Sequence, residues 1–338
     1  MNSAADRSAG WVVGIDAGGT RTRAVLADAR DGRVVGQGGS GPGNALTVPG
    51  PELSAHLAEA VASAVPEAIR GRVLAVAGGF AGAARAPEED RGRVRARAGL
   101  AAALARLGIT TAAVEVHSDV EAAFAGAPGH PAGGLALVAG TGAVAARIEG
   151  RVLVATSGGD GWLLGDDGGG FWIGREAARA ALRAADGRGG PTVLTGTVGR
   201  ALGIAADALP PAGGGFWAPA RRAAYRALLL PAVLDRPPVR LADLAPLVPA
   251  AAAAGDVVAR AILREAVGHL ARTVAALLPR PGETLVVTGG LSAPDGPLLT
   301  PLGERLAGLT VVPVADGLAG AVALARLLTT GRRPAEDP

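Results

Sequence analysis

One pattern of strands and glycine turns occurs twice in this 338-residue chain, and it limits the possible folds more than any other feature. Each copy has three short apolar runs of the kind that form β-strands. These runs are residues 12–15, 24–27 and 33–38 in the first copy and 135–138, 144–148 and 151–155 in the second. An internal duplication of this kind predicts two similar domains that face each other across a cleft.

Helix-like and strand-like segments alternate through the rest of the chain, which is typical of an α/β fold. Apolar residues at helical spacing predict helices at 51–69, 91–107, 176–185, 192–202, 251–278 and 317–328. Short apolar runs predict further strands at 73–77, 112–116 and 284–287. Proline and glycine predict loops or hinges at 210–215 and 230–238.

The composition excludes several kinds of chemistry. The chain contains no cysteine, so disulfides, thiolate zinc sites, iron–sulfur clusters and cysteine nucleophiles are all excluded. All 33 basic residues are arginine, which also excludes Schiff-base chemistry and a Walker-type phosphate-binding lysine. The net charge is only +3 and the arginines are scattered among acidic residues, so we expect no nucleic-acid partner.

The sequence shows no evident targeting or membrane-spanning segment. Its N-terminal residues lack the basic and apolar regions of a secretory signal. The longest stretch without Asp, Glu, Lys or Arg, Ala122–Ala146, is broken by glycine and proline throughout. We therefore expect a cytoplasmic protein with no membrane partner.

Two glycine turns are candidates for binding phosphate. The first, Asp16-Ala-Gly-Gly-Thr20, follows an apolar run. Glycine lets backbone N–H groups approach an anion, threonine adds a hydroxyl donor, and aspartate can orient a hydrated magnesium ion. A plain hairpin turn is the alternative for this segment alone. The second turn, Gly140-Thr-Gly142, lies at the equivalent place of the second copy and favours phosphate binding at both.

Ser118 and Asp119 follow a predicted strand and precede a helical segment, where the first half of the chain meets the second. An ordinary helix N-cap would explain both residues. At a predicted cleft, the Asp119 carboxylate can also accept the proton of an attacking hydroxyl group. The two roles are compatible because a capping aspartate is held rigidly.

The segment 157–170 has the highest density of glycine and aspartate in the chain. Its carboxylates can accept hydrogen bonds from the hydroxyl groups of a polar substrate, and they belong to Asp160, Asp166 and Asp167. A calcium loop is the alternative, but EF-hand spacing and the terminal glutamate are missing. We expect the apolar residues 162–164 to be buried.

Three smaller features complete the candidate site. Thr288-Gly-Gly-Leu291 follows a predicted strand, and its glycines would let a nucleobase or ribose lie flat, although an ordinary strand-to-helix loop is the alternative. The roles of two arginines are left open: Arg21 can reach phosphate, and Arg23 can be no more than a solvated strand residue. The four histidines have no HxxxH or HxH spacing, so we expect no histidine metal site.

The paired turns and the loop at 288–290 resemble those of the sugar kinase/Hsp70/actin superfamily. Within it, the segment SGGDGWLLGDDGGGFWIGREA at 157–177 resembles the N-acetylglucosamine kinase group of the BadF/BadG-type ATPases. The resemblance extends from about Val12 to Leu328. It implies an α/β fold of two ribonuclease-H-like, or actin-like ATPase, domains with an interdomain cleft.

The implied N-terminal domain is residues 1–118, the larger C-terminal domain is 119–330, and a tail follows at 331–338. Whether the last helix packs back on the N-terminal domain is left open. The resemblance also implies a homodimer.

The resemblance implies that ATP and Mg²⁺ bind in the cleft and that a phosphoryl group is transferred to the 6-hydroxyl of an amino sugar. Asp119 matches the catalytic base. The nucleotide-binding positions are Asp16, which would also hold magnesium through water, and Gly18, Gly19, Thr20, Arg21, Thr141, Gly142, Ala245, Gly289 and Gly290. The sugar-binding positions are Asn44, Ser118, Asp119, Gly159, Asp160, Gly161 and Asp166.

Two departures from the family pattern leave the sugar open. Ala45-Leu46 follows Asn44 where vertebrate-type kinases have an aromatic residue, and Gly159-Asp-Gly161 replaces a Gly-Trp-Gly. A carboxylate can pair with the ammonium group of an unacetylated amino sugar, so glucosamine is the alternative to N-acetylglucosamine. An ATPase or sensor switch that phosphorylates no sugar is the alternative from another functional class.

Overall fold

Two five-stranded sheets form the framework of the chain. The computed structural model describes residues 10–83, 90–111, 113–211 and 216–330. Its strands are β1 (Trp11–Ala17), β2 (Thr22–Asp28), β3 (Val34–Ser40), β4 (Val73–Phe80), β5 (Ala113–Ser118), β6 (Gly134–Ala139), β7 (Ala143–Glu149), β8 (Val152–Gly158), β9 (Thr284–Thr288) and β10 (Thr310–Pro313).

The helices surround these sheets and connect them. They are α1 (Gly50–Ala64), α2 (Arg91–Arg106), α3 (Asp119–Ala125), α4 (Gly161–Leu164), α5 (Gly170–Asp186), α6 (Leu194–Ala201), α7 (Pro219–Leu234), α8 (Leu247–Ala253), α9 (Val257–Ala275), α10 (Leu299–Arg305) and α11 (Leu318–Thr329). Short 3₁₀ helices cover Glu67–Arg72 and Pro238–Leu244.

Both sheets have the same arrangement of strands. The order is β3-β2-β1-β4-β5 in the first sheet and β8-β7-β6-β9-β10 in the second. In each sheet, the first three strands of the chain form antiparallel pairs, namely β1–β3 and β6–β8. The other two strands run parallel to the first strand, which is β1 for β4 and β5 and β6 for β9 and β10. The α/β class and the duplication expected from the sequence are therefore confirmed. The first hairpin is not at a sheet edge, because β1 lies at the centre of its sheet.

The first sheet is covered on both faces, which explains the continuous apolar run of β1. Val13 packs with Leu53 of α1 on one face. Val12 packs with Val322 of α11 on the other face. The last helix of the chain therefore packs against the first sheet, while the domain boundary between residues 118 and 119 stays a prediction.

Helix α3 lies between the two sheets. Its Val120 and Phe124 pack with Ile148 and Val286 of the second sheet. On its other side, α3 crosses α11 closely, because a Cβ at Gly320 would overlap a backbone carbonyl of α3. The start of α3 is thus held between the two halves of the molecule.

Two segments differ from their predictions. The helix expected at 251–278 is interrupted, because Gly255 has a φ of 93° and Asp256 caps the new helix α9 with a bond from the Ala259 N–H. The prediction of a loop at 230–238 is wrong for residues 230–234, which are helical. Helix α7 continues past Pro231, since its apolar face is buried in the second core.

Some predictions concern residues that lie outside the described part of the chain, namely Ala112, residues 212–215 and the tail 331–338. Within the described ranges, no single helix is long and apolar enough to cross a membrane. One pair of helices, bent by 119°, reaches that length and composition only when taken together.

Candidate active site

The first glycine turn connects β1 to β2 and is tied to two neighbouring loops. The Gly18 N–H donates to the Arg21 carbonyl, which closes the turn at 2.9 Å. The Gly43 N–H donates to the Gly18 carbonyl at 2.8 Å, and the Ala81 N–H donates to the Ala17 carbonyl at 2.9 Å. Because of these bonds, the ends of β1, β3 and β4 form one connected surface.

Asn44 lies on this surface, next to the first turn. Its side-chain oxygen accepts hydrogen bonds from the backbone N–H groups of Leu46 at 2.9 Å and Thr47 at 3.2 Å. These bonds fix the side chain, and the bond between Gly43 and Gly18 brings Asn44 close to the first turn. Gly19, Thr20 and Arg21 are exposed and accessible to a ligand.

The second glycine turn connects β6 to β7 and rests on the N-terminus of α5. The Gly170 N–H donates to the Gly140 carbonyl, and the Phe171 N–H donates to the Thr141 carbonyl, both at 2.8 Å. Helix α5 has 17 residues, and the positive end of its dipole therefore lies at this turn. The positive end of the dipole favours an anion near this turn, where Thr141 is exposed.

Asp166 stabilises the same turn. Its carboxylate accepts a hydrogen bond from the Ala143 N–H at 3.1 Å. A Cβ at Gly142 would lie only 2.6 Å from this carboxylate, so the aspartate packs directly against the turn. One side-chain oxygen of Asp166 is therefore engaged in positioning the turn.

The loop after β9 is held against the second turn by Gly289. Its φ of 123° favours glycine, and a Cβ there would overlap the Ala139 carbonyl oxygen at the end of β6. The next residue, Gly290, has open space around it. The structure thus brings the loop at 288–290 together with Gly140 and Thr141.

The segment 159–165 lies on the exposed side of the second turn. Gly159 is tied to the Ala143 carbonyl by its N–H at 2.9 Å, and Asp160 and Gly161 are exposed. The expected burial of residues 162–164 is wrong, since Leu163 is 72% and Leu164 84% exposed. A four-residue helix, α4, has no second layer to cover it.

Asp119 is the first residue of α3 and follows β5 directly, and its Cα lies 3.5 Å from the place that a Cβ at Gly79 of β4 would occupy. Ser118, just before Asp119, and Glu121, two residues after it, form a capping box. In this box the Ser118 hydroxyl accepts a hydrogen bond from the Glu121 N–H at 3.1 Å. Ser118 is buried and its hydroxyl is engaged in this cap. The Asp119 carboxylate accepts only a local bond from the Val120 N–H, at 3.0 Å.

The pKa of Asp119 is raised to about 6. Burial is the main cause, because it disfavours the charged carboxylate, and the nearby charge of Asp16 adds to the effect. A carboxylate with a pKa near neutral is suited to accept a proton during a reaction.

Asp16, at the end of β1, forms an ion pair that sequence reasoning missed. Arg23 faces it across the hairpin and binds the carboxylates of both Asp16 and Asp316, the second at 2.6 Å. Burial raises the pKa of Asp16, and the Arg23 guanidinium opposes that rise. Arg23 is therefore more than the solvated strand residue that was left open as its role. Its position opposite Asp16 was a usable signal, whereas Asp316 lies 293 residues away.

The sequence from residue 13 to residue 325 matches the model of the BadF/BadG/BcrA/BcrD ATPase family. The chain belongs to this family. Among curated proteins, none matches the sequence significantly. Membership of the ATPase family implies a kinase or ATPase that uses ATP.

Solved structures share the fold of this ATPase family member. A candidate N-acetylglucosamine kinase from Chromobacterium violaceum is 24% identical, with a TM-score of 0.63 over 93% of this chain and 98% of that chain. Another from Porphyromonas gingivalis is 20% identical, with a TM-score of 0.68 over the same shares. A ROK-family glucokinase from Streptomyces griseus, solved with glucose and AMPPNP, is 20% identical, with a TM-score of 0.55 over 94% and 99%. The predicted actin-like ATPase fold is confirmed.

One predicted nucleotide position does not present its side chain to a ligand. Ala245 is 3% exposed and belongs to the hydrophobic core of the second sheet. The assignment of Ala245 as a nucleotide-binding position stays a prediction.

The ion pair of Arg23 predicts a pH-dependent loss of stability in the variant Arg23→Met. The substitution leaves the mostly buried Asp16 carboxylate without its cation, so its pKa rises further. At pH 8 the unpaired charge persists, while at lower pH protonation relieves it. We expect the free energy of unfolding to fall more at pH 8 than at pH 5, measured by urea denaturation. Arg21→Met, at an exposed site of the same turn, is the control, and equal losses at both pH values would contradict this account.

The raised pKa of Asp119 predicts how activity in this ATPase family member depends on pH. If its carboxylate must be ionised to act, kcat/KM rises as pH increases through about 6 and then reaches a plateau. Initial rates measured from pH 5 to pH 8 test this, with salt held constant. A rate that stays flat across this range would show that Asp119 ionisation does not limit the reaction.

Proposed function

We propose that this protein is an ATP-dependent amino-sugar kinase that phosphorylates the 6-hydroxyl of N-acetylglucosamine, with glucosamine as the alternative substrate. The observation that carries the proposal is Asp119, a carboxylate with a pKa of about 6 at the start of helix α3, which lies between the two sheets. Family membership supplies ATP use, and the solved relatives that share the fold include a glucokinase.

In the proposed reaction, the ionised Asp119 carboxylate accepts the proton of the sugar 6-hydroxyl. The sugar oxygen forms a bond to the γ-phosphorus of ATP as the bond from that phosphorus to the β–γ bridging oxygen breaks. The products are ADP and a sugar phosphate. The capping box of Ser118 and Glu121 fixes the backbone that carries Asp119, so the base is already in position before the substrate binds.

The phosphates of ATP are proposed to lie between the two glycine turns. Thr20 and Thr141 are both exposed and can donate their hydroxyl groups, and backbone N–H groups of the turns can donate as well. The N-terminus of α5 adds favourable electrostatic potential on one side. Gly289 and Gly290 are proposed to approach the nucleoside.

The residues present fit a magnesium ion held through water. Asp16 offers a carboxylate at the end of β1, and no cluster of three or more acidic or histidine side chains occurs in the described residues. Magnesium in phosphoryl-transfer sites retains waters and is bound by few carboxylates plus substrate phosphates. When bound, it would neutralise charge on the phosphates. Arg23 binds the Asp16 carboxylate from the opposite strand of the hairpin.

Sugar recognition is proposed to involve residues from both halves. Asn44 uses its side-chain oxygen within its own loop, so its Nδ2 amide is the group that would donate to a sugar hydroxyl. Asp160 is exposed and can accept hydrogen bonds from hydroxyl groups or pair with an ammonium group.

If glucosamine is the substrate, Asp160→Asn should therefore lower kcat/KM for glucosamine more than kcat/KM for N-acetylglucosamine. The homodimer and the cytoplasmic location stay predictions.

Release of ADP from MgATP tests the proposal most simply. The reaction is measured without sugar and with N-acetylglucosamine, glucosamine, N-acetylmannosamine or glucose. We expect ADP release to depend on an amino sugar. Release at one constant rate with every sugar and with none would favour an ATPase switch and contradict the kinase.

A further inference from the structure

A cavity lies at the C-terminal end of α5, away from the two glycine turns proposed to bind phosphate. It has a volume of about 790 Å³ and lies between the turn after α5, helix α6 and the start of α7. Helix α5 begins at Gly170, beside the second glycine turn, and its last residues and Gly187 border the cavity. A helix of 17 residues spans about 25 Å, so this cavity is separate from the proposed active site.

Two arginines line this cavity without a carboxylate partner. Arg200 extends along α6, and its Nη1 atom is 3.3 Å from the place that a Cβ at Gly196 would occupy. The guanidinium of Arg222 lies over the ring of Trp217, 5.8 Å from the ring centre. Among the described residues, neither guanidinium has a hydrogen bond or an ion pair. Unpaired guanidinium groups in a concave site are suited to bind a phosphate or carboxylate.

The carboxylate of Asp256, which borders the cavity, offsets only one of these two positive charges. Asp256 accepts hydrogen bonds from the Thr192 hydroxyl and the Val193 N–H, each at 2.7 Å, and from the Ala259 N–H at 2.9 Å. It is thus engaged in joining the turn after α5 to the start of α9. The described residues that line the cavity therefore carry two positive charges and one negative charge, and their net charge is positive.

An aromatic wall stands beside the arginines. Trp217 is only 8% exposed and packs edge-on against Tyr225, whose hydroxyl donates to the Thr195 carbonyl at 2.7 Å. Phe216 is 84% exposed at the same cavity. The Trp217 indole N–H and the Arg222 Nε–H are both buried and have no acceptor. Buried donors without an acceptor are uncommon in folded proteins, and an oxyanion in the cavity would provide one after small local adjustments.

We propose that this cavity is a second ligand site, and that it takes a sugar phosphate. The phosphate would be bound by Arg200 and Arg222, and the apolar face of the sugar ring would pack against the aromatic wall. Positive charge alone would bind small anions without discriminating among them. The combination with Trp217 and Phe216 selects an anion that carries a ring with an apolar face.

Calorimetric titration of the full chain tests this site. The probes are glucose 6-phosphate, inorganic phosphate and glucose, added to wild type, Arg200→Gln, Arg222→Gln and the control Arg106→Gln, an exposed arginine on α2. We expect glucose 6-phosphate to bind best and each cavity variant to weaken it by about tenfold or more, while the control binds like wild type. Equal binding by all variants would overturn the site. Equal affinity for inorganic phosphate would overturn the assignment to a sugar phosphate.

A spectroscopic readout locates the binding and does not depend on the proposed kinase activity. The chain has four tryptophans, so their indole N–H signals can be assigned in a ¹H–¹⁵N spectrum with Trp217→Phe. Glucose 6-phosphate should shift the Trp217 signal with the affinity found by calorimetry. A shift confined to the other tryptophans, or no saturable shift, would place binding elsewhere and contradict the proposal. Failure of the kinase in the ADP assay would leave this outcome unaffected.

Discussion

The variant Asp119→Asn is expected to lose kinase turnover by about 10²–10⁴-fold while it retains sugar binding. Asparagine has nearly the same shape and can still accept the bond from the Val120 N–H, so α3 should begin at the same place. It cannot accept the proton of the attacking hydroxyl group. The loss should therefore appear in kcat measured by ADP release, and the sugar dissociation constant measured by calorimetry should change little.

Stability provides a second readout for the same variant. Because the folded-state pKa of Asp119 is raised to about 6, the wild type loses stability as pH rises from about 4 through 6, where the carboxylate ionises in the folded state. Asp119→Asn removes that charge. We expect the variant to unfold at a higher temperature than wild type at pH 8, and the difference to shrink toward pH 4.

The control for this experiment is Asp31→Asn, which changes an exposed carboxylate that accepts a bond from the Arg33 N–H. Asparagine can keep that bond, so turnover and stability should stay close to wild type. Near-normal turnover by Asp119→Asn would contradict the assignment of Asp119 as the base. A loss of turnover that came with lost sugar binding would indicate a disturbed site.

Gly289→Ala is expected to have the second largest effect. An alanine Cβ would overlap the Ala139 carbonyl oxygen, and the φ of 123° is strained for any residue with a side chain. The loop at 288–290 must then move away from Gly140. We expect the free energy of unfolding to fall by about 1–3 kcal/mol or more, and nucleotide affinity to fall at least tenfold.

Gly290→Ala is the matched control for stability, because a Cβ at this neighbouring position meets open space. Thermal unfolding of the two variants should differ clearly, with Gly290→Ala close to wild type. Nucleotide affinity is measured with a fluorescent ATP analogue. Wild-type stability and affinity in Gly289→Ala would show that the contact between this loop and the second turn is unimportant.

The framework could be predicted from the sequence because its signals are local. Each apolar run or glycine turn can be recognised within a window of about ten residues, and the repetition of these patterns predicted two equivalent sheets. Asp119 could also be predicted, since its position after a strand and before a helix is local. The break before α9 was missed although Gly255 and the N-cap residue Asp256 mark it, because the apolar pattern at helical spacing continues on both sides of them. Residues 162–164 were misjudged because hydrophobicity predicts burial only where a covering layer exists.

Contacts between distant parts of the chain could not be predicted. The ion pair of Arg23 with Asp316 joins a hairpin near the N-terminus to the segment before the last helix. The contact of Asp166 with the second turn depends on the fold of the glycine-rich segment between them. In both cases, the sequence shows a charged residue and gives no indication of its partner.

The fate of the transferred phosphate tests the central claim most directly. Wild-type protein is incubated with MgATP and N-acetylglucosamine or glucosamine, and the products are followed by ³¹P NMR. We predict one 6-phosphorylated amino sugar for each ADP formed, and no product with Asp119→Asn over the same period. ADP that accumulates together with inorganic phosphate and without a sugar phosphate would contradict the kinase.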